Sequence, residues 1–295
     1  MKNLAVFICT HGRPDKQITY DWLKEHNCTY PVYLLVDSLD NTQDEYKKMF
    51  GESVIVFDKP KYISSTDVIV PVDSHAGVVF ARNAAIDIAH EMGYKYVLAC
   101  DDDCAQFTYR YEEDGHLCSY EFENADDMIS VITDFMDSSD IETLSLTERG
   151  NYFGGAKSTN ITDGLMRTRL CCVWFIRTDT KTRFSSLMVE DLVYYRKYNA
   201  RGHKIFRLGQ ICFSTDKHGS ASNNEGMAKV YNRLGSYSYI PPLIVTPICT
   251  LVRTVRDTTA QTYGVYTTRL HYNYDMPKII SSVYKQEPVE IISNA

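Results

Sequence analysis

Tyr96-Val97-Leu98-Ala99-Cys100-Asp101-Asp102-Asp103 decides how this chain reads. Five mostly apolar residues in a row suit a strand buried on both faces, and that strand runs directly into three adjacent carboxylates. The stretch before it, residues 75–92, sets Val79, Arg82/Asn83, Ile86 and Ala89 at helical spacing and closes on Gly93. The pattern repeats upstream. Leu4 to Cys9 is a continuous apolar run, broken by Thr10-His11-Gly12-Arg13-Pro14. Residues 15–26 carry Ile18, Trp22 and Leu23 on one helical face. Val32 to Val36 forms a second run that ends at Asp37, residues 42–50 suit a helix stopped by Gly51, and Ser53 to Phe57 is a third strand. Strands alternating with helices predict an α/β fold: a mainly parallel central sheet with helices on both sides and right-handed crossovers. Ligands of such sheets bind beyond the carboxyl ends of the strands. Three of those ends carry useful chemistry: Thr10 to Arg13, Asp37, and Asp101 to Asp103.

The second half is more mixed. Asn124 reads as an N-cap, with Asp126 and Asp127 in the first turn and Ile129, Ile132 and Phe135 on one face. Residues 150–165 are rich in Gly, Ser, Thr and Asn and read as a loop. Cys171 to Ile176 is a buried strand, Glu190 to Arg201 a helix stopped by Gly202, and Ile205 to Phe213 a strand followed by Asp216-Lys217-His218-Gly219. Residues 219–239 read as a polar loop, and the tail from 240 as Tyr-rich and extended. The expected organisation is a main domain over 1–219 and a C-terminal extension over 220–295 that packs on it.

Composition narrows the function classes. The 295 residues are 44% hydrophobic and 23% charged, which are globular values. No run of about 20 apolar residues exists, so no membrane-spanning helix is expected. The longest apolar stretch, Ile240 to Val252, contains Pro241, Pro242 and Pro247. Met1 to Leu4 leads straight into a strand without a signal-peptide core, so a cytoplasmic location is expected. The nine cysteines are an odd number, sit mostly inside apolar runs and include no Cys-x-x-Cys pair, as reduced buried thiols do. Net charge is −7, which argues against a generic nucleic-acid binder. The charge is uneven, however. Residues 220–285 hold seven basic residues against three acidic ones, a local excess of four that leaves −11 on the remainder. Arg253, Arg256 and Arg269 alternate there with Tyr263, Tyr266, Tyr272 and Tyr274. Cations between aromatic faces suit stacked bases and phosphates, as strand residues packing on a core also would.

Four constellations carry candidate chemistry. Three adjacent carboxylates at Asp101 to Asp103 repel one another unless something positive sits among them, and Mg²⁺ or Mn²⁺ with a phosphate ligand answers that need; a solvated acidic turn is the plain alternative. Glu190-Asp191 opens a helix, where the dipole stabilises a carboxylate whatever else it does. His218 follows a strand and suits a metal ligand, a proton carrier or a structural histidine. Arg82, in Ala81-Arg82-Asn83, suits a phosphate, the acidic cluster or the surface.

The order of these features resembles the GT-A nucleotide-sugar glycosyltransferases, particularly the inverting family-2-like enzymes, over about residues 3–219. The resemblance implies that Asp101 and Asp103 form the Asp-x-Asp motif holding a divalent metal (Mn²⁺ or Mg²⁺) on the donor diphosphate, and that His218 completes the metal shell. It implies that Asp37 contacts the nucleotide base, with Thr10, Arg13, Arg82 and Asp102 at the donor site. Glu190-Asp191 then supplies the catalytic base, with Asp191 first and Glu190 as the alternative. A UDP-linked donor is expected on the same grounds. The Gln-x-x-Arg-Trp motif of processive synthases is absent, which implies a non-processive enzyme. Ser38-Leu39-Asp40 also departs from the family's usual run after the second strand. In overall style the chain resembles as well the TET-associated glycosyltransferases of phages, which implies hydroxymethylated pyrimidines in DNA as acceptor and a host cytoplasm as location. Two rival readings stand beside this one. A catalytically degenerate sugar- or nucleic-acid-binding module on the same scaffold would have little need of metal ligands plus a separate base. A P-loop phosphotransferase would use Gly150 to Ser158, where Gly150 and Gly155 have the required spacing but Ala156 occupies the lysine position.

Overall fold

The computed structural model describes residues 2–68, 77–166, 170–216 and 240–247, together with the backbone of two strands at 250–256 and 266–272. His218 and the polar segment 219–239 lie outside the described residues. The core is one sheet. Its amino-terminal half contains β1 (Lys2–Thr10), β2 (Val32–Asp37), β3 (Val54–Phe57) and β4 (Tyr94–Asp101), in the spatial order β3-β2-β1-β4 and all parallel. Helices α1 (Ile18–Glu25), α2 (Gln43–Phe50), α3 (Lys59–Ser65) and α4 (Val78–Glu91) connect these strands, as the alternating pattern requires.

Continuous apolar strands follow from burial on both faces. In β1, Ala5, Phe7 and Cys9 pack on one side against Ala84, Ala85 and Ile86 of α4. Leu4, Val6 and Ile8 pack on the other against Trp22 and Leu23 of α1. Truncating a ring such as Phe7, which is fully buried, to Ala costs about 3–5 kcal/mol in this setting. Helix α4 is buried almost all round, including Arg82 and Asn83. Gly93 ends it at φ +81°, a left-handed position that favours glycine.

Beyond β4 the sheet continues with β9 (Val173–Arg177), β7 (Thr143–Glu148), β10 (Ile205–Thr215), β5 (Cys104–Glu113) and β6 (His116–Glu121). Here β10 runs parallel to β7, and the other neighbours are antiparallel. A two-residue strand, β8 (Leu165–Met166), pairs with β10. Helix α5 (Ala125–Ser139) starts as expected, with the Asn124 side chain accepting from the Asp126 N–H at 2.8 Å. Helix α7 (Glu190–Asn199) lies against β10 and the loop before it, and Gly202 follows at φ +90°. The segment expected as a plain loop over 150–165 contains two single 3₁₀ turns (Arg149–Asn151 and Gly155–Lys157) and the one-turn helix α6 (Thr159–Thr162). It closes no strand-loop-long-helix cradle, which removes the P-loop reading. The tail begins with α8 (Ile240–Val245) rather than an extended chain. It continues as an antiparallel ribbon of β11 (Thr250–Arg256) and β12 (Tyr266–Tyr272), which sets Arg253 opposite Arg269. Among the described residues no helix is long and apolar enough to cross a membrane.

Candidate active site

Strand order reverses direction at β1, with β2 on one side and β4 on the other. The crevice beyond the carboxyl ends of β1 and β4 is therefore the expected ligand position. The acidic triplet meets the end of β1 there, and its three members find three different surroundings.

Asp102 turns inward and is 1% exposed. Thr10 Oγ1 donates to it at 2.7 Å and Arg13 donates from its guanidinium at 2.7 Å. Burial pushes its carboxyl up to about 6, against the opposing pull of Arg13 and Thr10. Thr10 and the Arg13 N–H also meet the Tyr46 hydroxyl, at 2.7 and 3.0 Å, and Gln17 donates to Thr10 at 2.9 Å. The first turn of α1 fixes the backbone of the triplet: Thr19 donates to the Asp101 carbonyl at 2.7 Å and accepts from the Cys104 N–H at 2.8 Å.

Asp101 is tied to Arg82. The Arg82 guanidinium donates to Asp101 at 3.0 Å and to Glu190 at 2.5 Å, and so bridges the end of β4 to the start of α7. It lies 5.5 Å from the Trp174 ring and 5.6 Å from the Phe184 ring, and is 3% exposed. Burial works against the charge on Arg82, but Asp101 and Glu190 outweigh it and hold the charge in place. Burial also raises the Glu190 carboxyl, while Arg82 pulls it down and Asp191 pushes it up.

Asp103 is different. Among the described residues no side chain hydrogen-bonds its carboxylate. Burial, then Asp101, then Asp102, push it up to about 7, against a weaker pull from Arg13. Its carbonyl accepts from the Asp216 N–H at 3.0 Å, which brings the end of β10 beside it.

The approach to Glu190-Asp191 is strained. Val189, the residue before α7, has φ +45°, and Cys172, whose carbonyl accepts from the Asp101 N–H at 3.1 Å, has φ +53°. Non-glycine residues at such angles cost on the order of 1–3 kcal/mol and gather at functional sites, the β-branched Val189 being the stronger outlier. Asp191 is 4% exposed, and its carboxylate accepts from the Leu192 N–H at 2.7 Å in the first turn of α7.

Asp37 heads a neighbouring group. His11 Nδ1 and Lys59 Nζ lie 2.8 and 3.0 Å from one of its oxygens, and the Leu39 N–H donates to the other at 2.9 Å. Burial alone would raise the Asp37 carboxyl, but His11 and Lys59 prevail and hold it below its ordinary value. His11 is raised, first by its bond to Asp37. Asp40 belongs to the turns: it accepts from the Gly12 N–H at 2.7 Å and from the Thr42 N–H at 2.7 Å. A base contact by Asp37 therefore has to share oxygens that His11, Lys59 and Leu39 already use.

Thr10, Arg13 and Asp102 thus form one group of direct contacts and Arg82, Asp101 and Glu190 another, joined through the Asp101-Asp102 backbone, with Asp103 next along the chain and Asp37 at the neighbouring strand end. His218 lies outside the described residues. Asp102 and Arg82, expected at the donor, are instead interior: both are nearly fully buried and paired within the protein. Sequence reading missed Gln17, Thr19, Tyr46 and Lys59.

A divalent cation fits this set in part. Asp101 and Asp103 offer hard carboxylate oxygens two residues apart, and Asp103 stays raised although Arg13 pulls it down. Mg²⁺ is commonly held by one or two carboxylates plus substrate phosphates, not by a full protein cage. Among the described residues no group of three or more His, Cys, Asp or Glu side chains converges. A separate cavity of about 380 Å³ opens between α3, α4 and α7, lined by Tyr62, Thr66, Asn83, Asp87, Arg183 and Lys197 among others. It lies a turn along α4 from Arg82 and holds none of the carboxylates above.

A doubly wound sheet with a carboxylate cluster at its switch point defines an α/β enzyme that works at the carboxyl edge of its parallel strands. Residues 4–225 match the family model described as TET-Associated Glycosyltransferase, and the chain belongs to that family. It is a glycosyltransferase. A search of curated protein sequences gives no match. Among solved structures, the chain is similar to S. aureus TarS 1-349, at 15% identity and a TM-score of 0.42, over 73% of this chain and 60% of that one. It is also similar to glucosyl-3-phosphoglycerate synthase from Mycobacterium tuberculosis in complex with uridine-diphosphate, at 11% identity and a TM-score of 0.49, over 85% of this chain and 84% of that one. The same synthase with Mn²⁺, UDP-glucose and phosphoglyceric acid matches at 11% identity and a TM-score of 0.47, over 95% and 88%.

Proposed function

We propose that the chain is a non-processive, inverting glycosyltransferase that moves one sugar from a UDP-linked donor to an acceptor hydroxyl, and that the acceptor is a hydroxymethylated pyrimidine in DNA. The carrying observation is the division of labour in the acidic triplet: Asp102 is buried under Thr10 and Arg13, Asp101 is tied to Arg82, and Asp103 is raised to about 7 with no side-chain hydrogen bond among the described residues. Asp101 and Asp103 would hold Mn²⁺ or Mg²⁺, which on the donor diphosphate supplies Lewis-acid stabilisation worth several kcal/mol. His218 is the proposed third ligand.

The acceptor oxygen attacks the anomeric carbon, the bond to the diphosphate oxygen breaks, and the acceptor proton passes to Asp191. General-base help of this kind contributes about 10²–10⁴-fold. Arg82 holds Glu190 against the end of β4 and so fixes the helix start that carries Asp191. Asp37, with His11 and Lys59, forms the nucleoside side of the site, and Arg13 its rim. The proposed organisation is a catalytic domain over 1–219, with 220–295 on the acceptor side. The excess of basic residues over 220–285 and the opposed Arg253 and Arg269 of the ribbon support a polyanionic acceptor.

The test is mass spectrometry of DNA carrying 5-hydroxymethylcytosine, and of the same DNA unmodified, after incubation with a panel of UDP-sugars and Mn²⁺. A mass gain of one sugar on the modified base alone is expected. No transfer from any UDP-sugar, or equal transfer to unmodified DNA, overturns the reading.

A further inference from the structure

The hairpin of β5 and β6 carries a surface that glycosyl transfer does not use. Tyr109 and Tyr111 alternate along one face of β5, and the register sets Tyr120 of β6 opposite Tyr109. The Tyr109 and Tyr111 ring centres are 5.5 Å apart with planes 21° from parallel, and Tyr111 and Tyr120 are 5.9 Å apart at 10°. The three rings make one continuous aromatic strip. It faces solvent: Tyr109 is 39% and Tyr120 62% exposed. Its surroundings are acidic. On the tyrosine face this charge is Glu113, with Asp114 next to it in the turn; Glu121 already accepts from Trp22 and Gln106, and strand alternation turns Glu112 to the other face, together with Arg110. That arginine is engaged elsewhere, 4.3 Å from the ring of Tyr152. β6 is also the last strand of the sheet, and among the described residues no strand pairs with its outer edge. An open edge of this kind is a template for another strand.

We propose that this hairpin docks an extended, Lys/Arg-rich segment of a partner protein, which adds as a strand along β6 and lays its cations on the tyrosine rings. Charge selects the occupant. Duplex DNA would set its phosphates against Glu113 and Asp114 and be repelled. A neutral glycan would stack on the rings and leave both the acids and the backbone edge unused. A basic strand uses all three: main-chain hydrogen bonds at the edge, cations over the aromatic faces, and the carboxylates as counter-charges. β5 begins directly after Asp103, so at about 3.3 Å per residue Tyr109 lies roughly 20 Å from the acidic cluster. The partner is therefore held beside the catalytic crevice and not in it.

The experiment uses the full chain and a fluorescent ten-residue peptide alternating Arg and Thr, with the same peptide carrying Glu for Arg as control. Binding is followed by anisotropy. Hydrogen exchange reads the β6 amides, and sedimentation reads the oligomeric state. The Arg peptide is expected to bind at least tenfold tighter than the Glu peptide and to protect amides within 117–121. Tyr111→Ser/Tyr120→Ser and the isosteric Glu113→Gln/Asp114→Asn should each weaken binding at least tenfold, with melting curves near wild type. Equal binding of both peptides, unchanged affinity in the tyrosine variant, or unprotected β6 amides overturns the proposal. So does self-association of the wild type that the tyrosine variant loses, because the surface would then belong to a second copy of this chain.

Discussion

Arg82→Met is the most informative single change in the site. Arg82 is 3% exposed and is the side-chain cation that ties Asp101, at 3.0 Å, to Glu190, at 2.5 Å. Methionine keeps much of the apolar stem against Trp174 and Phe184 and removes the charge. Taking one partner from a buried ion pair costs about 3–5 kcal/mol, because the remaining charge is left uncompensated. The side chains of Glu190 and Asp101 are 13% and 28% exposed, so Asp101 recovers some hydration and Glu190 little. A loss near the lower end, about 3 kcal/mol, is therefore expected, or on the order of 10 °C in melting temperature for a domain of this size. The loss has a definite pH dependence. Glu190 is already raised by burial against the pull of Arg82, so without Arg82 it rises further and the folded state binds a proton that the unfolded state does not. The deficit is then full at alkaline pH and shrinks as pH falls through the raised value. Denaturant unfolding of both proteins at pH 8 and pH 5 measures this. Arg82→Met/Glu190→Gln should recover part of the loss, because one orphaned charge is gone. A deficit below about 1 kcal/mol, or one equal at the two pH values, would refute the claim that Arg82 neutralises this pair.

Four further outcomes are expected. Asp103→Ala should abolish transfer across a Mn²⁺ titration while the melting curve stays near wild type; near-normal turnover would end its assignment as a metal ligand. Asp191→Asn should lower kcat by about 10²-fold or more with nucleotide binding by calorimetry little changed, since a base acts in the transition state, whereas lost nucleotide binding would make it a helix cap only. His11→Ala should destabilise most below pH 6.5, the ordinary His value, because His11 is raised by Asp37, and the difference from wild type should fade as pH rises through the raised value; melts from pH 5 to pH 9 that differ by a constant amount would contradict the pairing. Arg253→Ala/Arg256→Ala should flatten the salt dependence of duplex DNA binding by about one unit of log–log slope for each phosphate-binding arginine removed, and identical slopes would return β11 to a structural role.

How far the sequence reveals the fold depends on where each element's hydrogen bonds go. β1, β2 and β4 are buried on both faces by helices, so they read as unbroken apolar runs, and α4 and α5 carry ordinary stop and cap residues. β7 is equally buried yet was illegible. Thr143, Ser145 and Thr147 fill one of its faces. Those hydroxyls meet the Tyr194 hydroxyl and the carbonyls of Cys171 and Leu208, which offsets their burial but hides the strand from any search for apolar periodicity. The β5–β6 hairpin was missed for the opposite reason: much of it faces solvent, so burial imposes little pattern. In the site, the strand ends and the helix start that carry carboxylates were legible because they follow buried strands or precede a helix. Lys59 and Thr19 were not. Each acts across more than twenty residues of chain, on Asp37 and on the backbone of Asp101, and nothing local distinguishes them from a surface lysine or a helix-start threonine.

The three carboxylates in sequence also show why a motif cannot be read as a set of equivalent ligands. Adjacent residues at a strand end point to different sides, so identical side chains meet different partners. Asp102 points into the interior, where Thr10 and Arg13 make it a clasp between β1 and β4. Asp101 leans toward α4 and is half neutralised by an arginine that also serves Glu190. Asp103 meets two like charges that, with burial, outweigh Arg13 and raise its carboxyl to about 7. Direct pairing with a protein cation is thus given to the first two members, while the third feels only the nearby Arg13, which burial and its two acidic neighbours outweigh. A folded chain that leaves one half-buried carboxylate without a direct partner at the carboxyl edge of its sheet, while pairing the two beside it, has built a place where a cation arriving with an anionic substrate lowers the energy of the whole cluster.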